Sequence, residues 1–254
     1  MSRILIRQRK FFILLFPDCQ ASILFSLKRI IDYFNSVSEV ISSISFIKSD
    51  ELLKPSIKLT IKMPRISLRK KAKIASVFRS RTLVCVVENP NLINNLMGIV
   101  RTAEALGVGK VYVIDNGKLK LPNDWKEMRD NPQFVGLSAS GIKWIYVKKF
   151  SSTAECLQHL AKKNFTIVGT SPHKLGKKNL LLSEGKYTQS HLAVWFGNEV
   201  RGLSKEALET CDFCIKIPMC GIIESMNISS SASIVLNYVV EKRHEYSKRK
   251  IAKK

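Results

Sequence analysis

From Thr82 onward the chain alternates between two patterns of apolar residues. Short unbroken apolar runs predict buried strands, and between them lie stretches with helical spacing. Thr82–Val87, Val111–Ile114, Ile142–Val147, Phe165–Thr170, Leu192–Phe196 and Phe213–Ile217 are the runs. Leu96–Leu106 carries Ile99, Ala103 and Leu106 on one helical face, and Gly107 ends it. Asp124–Asp130 predicts a helix, and so does Ser204–Glu209. Ser152 or Thr153 caps a further helix running to Lys163. The last helix is expected from about Ser230 to beyond Lys242. Strands alternating with helices predict an α/β fold with a mostly parallel sheet covered on both faces.

Residues 1–62 do not share this pattern. Phe11–Phe16 is an apolar run behind Arg3, Arg7, Arg9 and Lys10, like the start of a targeting segment. Pro17 and Asp18 end it early, no small-residue cleavage site follows, and it is too short to cross a bilayer. Met63 begins a stretch that would serve as a basic amino-terminal arm. Residues 1–62 are therefore expected to be an extension, disordered or not translated, with a targeting segment as the alternative. The expected divisions are this extension, a basic arm at 63–81, a domain at 82–242 and a basic tail at 243–254.

Charge narrows the class of partner. The 254 residues carry a formal net charge of +22. Such a surplus repels itself, and a polyanion relieves it. It is also clustered. Arg65, Arg69, Lys70, Lys71, Lys73 and Arg79 lie in an acid-free amino-terminal stretch, and Lys248, Arg249 and Lys250 lie in the tail. These nine are the candidate phosphate contacts, which grip a backbone without reading sequence. Nucleic acid is the expected partner, and no stable membrane association is expected.

The six cysteines include one close pair, Cys211 and Cys214, with no second pair and no histidine pair at ligand spacing. Buried thiols in a reducing compartment are expected, and no metal. Gly107 and Gly109 precede a strand and lack a third glycine, so they make no dinucleotide fingerprint. A phosphate-binding loop and a nucleophile elbow are missing as well. Small-residue loops instead follow several strands, at Thr170–Pro172, Gly197 and Met219–Gly221. Ligands of open α/β sheets sit beyond such carboxyl ends.

Three segments sharpen this. They are Asn89-Pro-Asn91 with Asn95 and Arg101-Thr102-Ala-Glu-Ala-Leu-Gly107; Phe196-Gly-Asn-Glu199-Val-Arg-Gly202-Leu203; and Ile217-Pro218-Met219, Gly221 and Ser225-Met-Asn227-Ile-Ser229. In this order they resemble the three motifs of the SpoU/TrmH family of RNA 2′-O-ribose methyltransferases, in its tRNA guanosine branch. The resemblance runs from Thr82 to about Lys242. Met226 stands where many relatives have Leu, a swap that conserves volume.

The resemblance implies a deep trefoil knot at the carboxyl end, a homodimer, a cytoplasmic enzyme and S-adenosylmethionine as methyl donor. It implies cofactor contacts at Gly197, Ile217 and Met226, and the strand-end loops add Met219, Gly221 and Thr170 as candidates for the same site. It gives Arg101 the phosphate beside the target ribose; its guanidinium, with a pKa above about 12, is a poor base. Asn95 would support Arg101 or the ribose, and Glu199 would orient Arg101 or Asn95. Ser225 and Asn227 would bond ribose or cofactor. Read without the resemblance, Asn95 is a helix cap, Glu199 a charge for the helix near Ser204, and Ser225 and Asn227 turn residues. Short basic flanks resemble those of the tRNA guanosine branch, so what the resemblance implies as substrate is tRNA, at a guanosine in the D-loop. The alternatives are an rRNA methyltransferase of the same family and a non-catalytic knotted RNA-binding protein. Ile234, Val235, Tyr238 and Val239 would face either a second subunit or the core.

Overall fold

A computed structural model describes residues 67–173 and 178–252. The chain divides into two units, Met1–Lys70 and Lys71–Lys254. The expected extension and Arg65 lie outside the described residues, as does the side chain of Arg69. The stretch expected as a basic arm contains a helix, α1 (Leu68–Phe78).

Seven strands form one sheet: β1 (Ser80–Glu88), β2 (Val108–Ile114), β3 (Tyr146–Phe150), β4 (Thr166–Thr170), β5 (Asn179–Leu181), β6 (Leu192–Phe196) and β7 (Phe213–Lys216). Their order is β3-β2-β1-β6-β4-β7-β5. Every pairing is parallel. Register is set by the buried runs: Leu83 pairs with Leu192 and Val87 with Phe196, while Thr170 pairs with both Phe196 and Ile215. The helices are α2 (Ile93–Ala105), α3 (Trp125–Asp130), α4 (Pro132–Leu137), α5 (Thr153–Ala161), α6 (Lys205–Thr210) and α7 (Ile228–Ala252).

A central parallel strand sends alternate side chains into two cores. Leu83, Cys85 and Val87 of β1 join the core that holds α2 and α7 residues such as Ile99 and Val239. Val84 and Val86 join the opposite core with Leu160 of α5 and Ala207 of α6. Burial of each such aliphatic side chain stabilises the fold by about 1.5–3 kcal/mol. On α7, Ile228, Ala232, Val235, Leu236 and Val239 are buried. Val235 and Val239 thus belong to the core, and Ile234, 42% exposed, faces outward.

Helices α2 and α7 approach closely because small residues line their contact. A Cβ added at Gly98 would sit 2.5 Å from Ser229 Oγ, and the hydroxyls of Thr102 and Ser233 lie 3.1 Å apart.

Three expectations need correction. Ile142–Val147 is not one strand: a 3-10 turn covers Gly141–Lys143 and β3 starts at Tyr146. Ile142 and Ile145 are nonetheless fully buried, so an apolar run here reports burial rather than extension. The tail from residue 243 is not separate, because α7 continues through it to Ala252. Arg243 is pinned there: its guanidinium donates to the carbonyls of Tyr187 (3.0 Å) and Gln189 (2.7 Å) and to Thr82 Oγ1 (3.0 Å). Arg79, expected on phosphate, pairs with Glu104 at 3.1 Å.

Candidate functional site

At the carboxyl ends of β6, β4 and β7 a cleft of about 250 Å³ opens. That is near the lower end for small-molecule sites, roughly 300–1,000 Å³. Phe196, Ile215, Ile217, Met219 and Val235 supply apolar lining, and Thr170, Ser171, Asn198 and Ser225 supply polar groups. The Thr170 hydroxyl already donates to the Trp195 carbonyl at 3.0 Å, so toward a ligand it can only accept.

One wall is a tight hairpin. Asn198 and Gly202 exchange backbone bonds of 2.8 and 2.9 Å. The Asn198 side chain organises it, accepting from the amides of Val200 (2.9 Å) and Arg201 (3.0 Å) and donating to the Asn89 carbonyl (2.6 Å). Asn is suited to such turns because its side chain reaches backbone two or three residues on. Gly202 has φ +69°, and a Cβ at Gly197 would lie 2.2 Å from the carbonyl carbon of Gly202. Both glycines are therefore required by the hairpin itself.

From this hairpin Glu199 reaches the start of α2. Its carboxylate accepts from the Asn91 amide at 2.8 Å and from Asn95 Nδ2 at 2.9 Å. Burial pushes its pKa upward, but the bonds from Asn95 and the backbone at Asn91 and Leu92 outweigh this and leave it below the usual carboxylate range. The first turn of α2 lacks an acid of its own, and its Leu92 cap offers no side-chain bond. Glu199 supplies the missing negative charge at that positive helix end. The third segment closes the arrangement, since Asn227 Nδ2 donates to Asn95 Oδ1 at 3.1 Å. Asn227 also caps α7 by accepting from the Ser229 amide at 2.8 Å.

Segments more than 100 residues apart thus converge on Asn95. Its amide is held at both ends, by Glu199 and by Asn227. Behind the site, Glu88 is 1% exposed. It accepts from Thr153 Oγ1 (2.6 Å), Trp195 Nε1 (3.1 Å) and the Ser204 amide (3.2 Å). It fixes the end of β1 against β6 and the starts of α5 and α6.

Gly197, Ile217, Met219, Met226, Thr170 and Ser225 all line the cleft. Gly221 does not: it is exposed, with open space around the position of a Cβ. Glu199 serves α2, not the helix near Ser204, and it orients Asn95, not Arg101. Arg101 is exposed and makes no ion pair or hydrogen bond among the described residues. Six residues beyond Asn95, it sits about 9 Å along α2 and roughly 120° around it. Lys71, Lys73, Lys248, Arg249 and Lys250 are exposed on α1 and α7, and Lys70 shares α1. Asn198, Arg201 and His173 are cleft residues that sequence reasoning missed. For Asn198 a signal existed: an Asn directly after one glycine and four residues before another marks a turn.

The chain matches the model of the SpoU rRNA methylase family over residues 82–237. The chain belongs to that family. As a SpoU methylase it is a methyltransferase, and enzymes of this family take the methyl group from S-adenosylmethionine. A tRNA (guanosine(18)-2′-O)-methyltransferase of Thermus thermophilus is 31% identical over 170 residues, spanning 66% of this chain and 79% of that protein. The protein of the same name from Borreliella burgdorferi is 34% identical over 176 residues, 67% of this chain and 72% of the relative. Among solved structures, the TrmH/SpoU tRNA modifying enzyme of A. aeolicus superposes with a TM-score of 0.58 at 27% identity, covering 71% of this chain and 86% of that one. The SpoU methyltransferase AviRb of Streptomyces viridochromogenes, solved with AdoMet, shares the fold at a TM-score of 0.54 and 24% identity. Among the described residues of this SpoU methylase, no cluster of three or more His, Cys, Asp or Glu could hold a metal. No described helix is long and apolar enough to cross a membrane.

Proposed function

We propose that this chain transfers a methyl group from S-adenosylmethionine to a ribose 2′-hydroxyl of tRNA, at a guanosine of the D-loop. The observation that carries this is the bracing of Asn95 by Glu199 and Asn227 beside the cleft, in a SpoU-family chain. The names of the Thermus and Borreliella relatives support tRNA and the guanosine.

The cleft residues suit the donor. An apolar floor of Ile215, Ile217 and Val235 fits a purine face, and main chain at Gly197 and Met219 offers polar contacts. When bound, the donor supplies an electrophilic methyl on a sulfonium, a strong leaving group. The protein's remaining tasks are alignment and proton removal. Asn95, its amide fixed on both sides, positions the ribose. Ser225, exposed at the cleft, is a second hydrogen-bonding group for ribose or cofactor. Arg101 clamps the adjacent phosphate and stabilises charge on the oxygen; it does not act as base. Its lack of a carboxylate partner leaves it available for that phosphate.

The proposal includes the carboxyl-terminal trefoil knot, a homodimer across which Arg101 reaches its substrate, and a cytoplasmic location without a metal.

The test is transfer of labelled methyl from S-adenosylmethionine to unmodified tRNA, followed by mass mapping of the ribose. Arg101→Ala is expected to lower transfer by roughly 10²–10³-fold with unchanged cofactor affinity. Undiminished transfer by that variant would remove Arg101 from the mechanism. Methylation found only in rRNA would replace the substrate.

A further inference from the structure

Away from the cleft, three lysines crowd the face of the sheet beneath α5. In the β2–β3 register Lys110 stands opposite Tyr146 and Tyr112 opposite Lys148. With a side-chain period of two, all four project from one face. His159 of α5 bonds the Tyr112 hydroxyl at 3.2 Å, which sets α5 over this face, and Lys163 follows one turn later. Lys110 and Lys148 are half-buried and Lys163 is exposed.

None of these lysines pairs with a described carboxylate. The contrast with the next residue is instructive. Lys149, on the other face, has Asp115 at 4.0 Å and the Leu121 carbonyl at 2.8 Å. Among the described residues Lys148 has only the Phe150 ring, 4.5 Å away. Glu155, the nearest acid on α5, is spent on the Ser151 amide at 2.9 Å. Desolvation first, and then the charges of Lys163 and Lys148, depress the Lys110 pKa. Burial and the same three lysines depress that of His159. Glu155 acts on His159 in the opposite sense, but lysines that repel one another and pair with no described carboxylate are stabilised by an external anion.

The anion's identity is indicated by the ring beside it. Tyr146 is 42% exposed on β3, a terminal strand of the sheet. One side of it meets Trp125 at a centroid distance of 5.5 Å. An exposed aromatic ring among unpaired cations is the combination that binds unpaired nucleotides, phosphates on the lysines and a base on the ring.

We propose that Lys110, Lys148, Lys163 and Tyr146 form a second RNA-binding surface, which grips phosphodiesters and stacks one unpaired base. It rests on the reading of the chain as an RNA-modifying enzyme. Lys110 is level with Val84 of β1 and Ile114 with Glu88, so the surface lies about 13 Å down the strands from the cleft end. It therefore holds RNA remote from the target ribose, and contributes affinity rather than chemistry.

The test is binding of an unmodified tRNA transcript by full-length protein between 50 and 300 mM salt (about that range suffices). The variants are K110Q/K148Q/K163Q and, separately, Y146A. Glutamine retains most of each stem, and removing mutual repulsion leaves the melting temperature equal or higher. The triple variant is expected to flatten the slope of log affinity against log salt by about 2 units, near 0.7 per single-stranded phosphate contact. Y146A is expected to weaken binding about tenfold without changing that slope. Donor affinity and single-turnover transfer at saturating RNA are expected to match wild type. A triple variant with wild-type affinity and slope overturns the surface, even if wild type methylates tRNA normally. Wild type that binds and methylates no RNA overturns both this surface and the enzymatic reading.

Discussion

Gly197 and Gly221 both belong to loops that the sequence places at the cofactor, yet replacement by alanine should have opposite outcomes. At Gly197 a Cβ would lie 2.2 Å from Gly202 C, 2.3 Å from Leu203 N and 2.4 Å from Gly202 O. All three are backbone atoms, so no side chain can swing away. The hairpin must open, losing the 2.8 and 2.9 Å bonds between Asn198 and Gly202. Two hydrogen bonds are worth about 1 kcal/mol each, and an overpacked site costs about 1–3 kcal/mol more. A loss of about 3–5 kcal/mol lowers the melting temperature of a domain this size by roughly 6–20 °C. Because Glu199 rides on the hairpin, donor affinity and transfer should fall with it. At Gly221 nothing lies within 4 Å and φ is not positive, so alanine should change stability by under about 0.5 kcal/mol. Differential scanning fluorimetry with and without S-adenosylmethionine reads both. Equal melting temperatures for G197A and G221A would refute the steric argument.

Glu199→Gln should destabilise, since the amide presents an N–H to a donor where an oxygen had accepted. The folded pKa of Glu199 is depressed, so its contribution is complete above the unfolded value, about 4.3, and fades as pH falls through the folded one. The melting-temperature gap between wild type and Glu199→Gln should accordingly be constant from pH 5 to 7, about two units of plateau, and narrow below. Asn95→Ala should lower methyl transfer by roughly tenfold or more while S-adenosylmethionine titrations stay unchanged; a loss of donor binding instead would put Asn95 on the cofactor. Arg243→Ala leaves two carbonyls and a hydroxyl without their donor and should cost about 2–4 kcal/mol in urea unfolding, although Arg243 is far from the cleft.

The alternation of strands and helices was legible because buried parallel strands are continuous apolar runs, as at Leu83–Val87 and Leu192–Phe196. Besides α1, read from the sequence only as a basic arm, two elements escaped. β5 is three residues long and mostly exposed, too short to show a period. α4 carries a single buried residue, Phe134, and is announced only by Asn131 as cap and Pro132 behind it. The cleft loops were legible from their glycines and polar residues, but their assignments were not. That Glu199 serves the helix beginning at Ile93, and not the one beside it in sequence, depends on β1 and β6 being neighbours in the sheet. Local sequence carries no trace of such a pairing. The same holds for Arg79 and Arg243, two members of basic clusters that tertiary partners withdraw from the surface pool.

The bond between Asn227 and Asn95 spans 132 residues. A ribosome adding roughly 5–20 residues per second needs about 7–26 s to deliver the second partner after the first. Through that interval the amino-terminal half of the site has already been made, but Asn95 is braced on one side at most. A message truncated between codons 102 and 226 would yield chains that retain Arg101 and the basic helix α1 without an assembled methyl-transfer site. Competence is thereby tied to completion of synthesis.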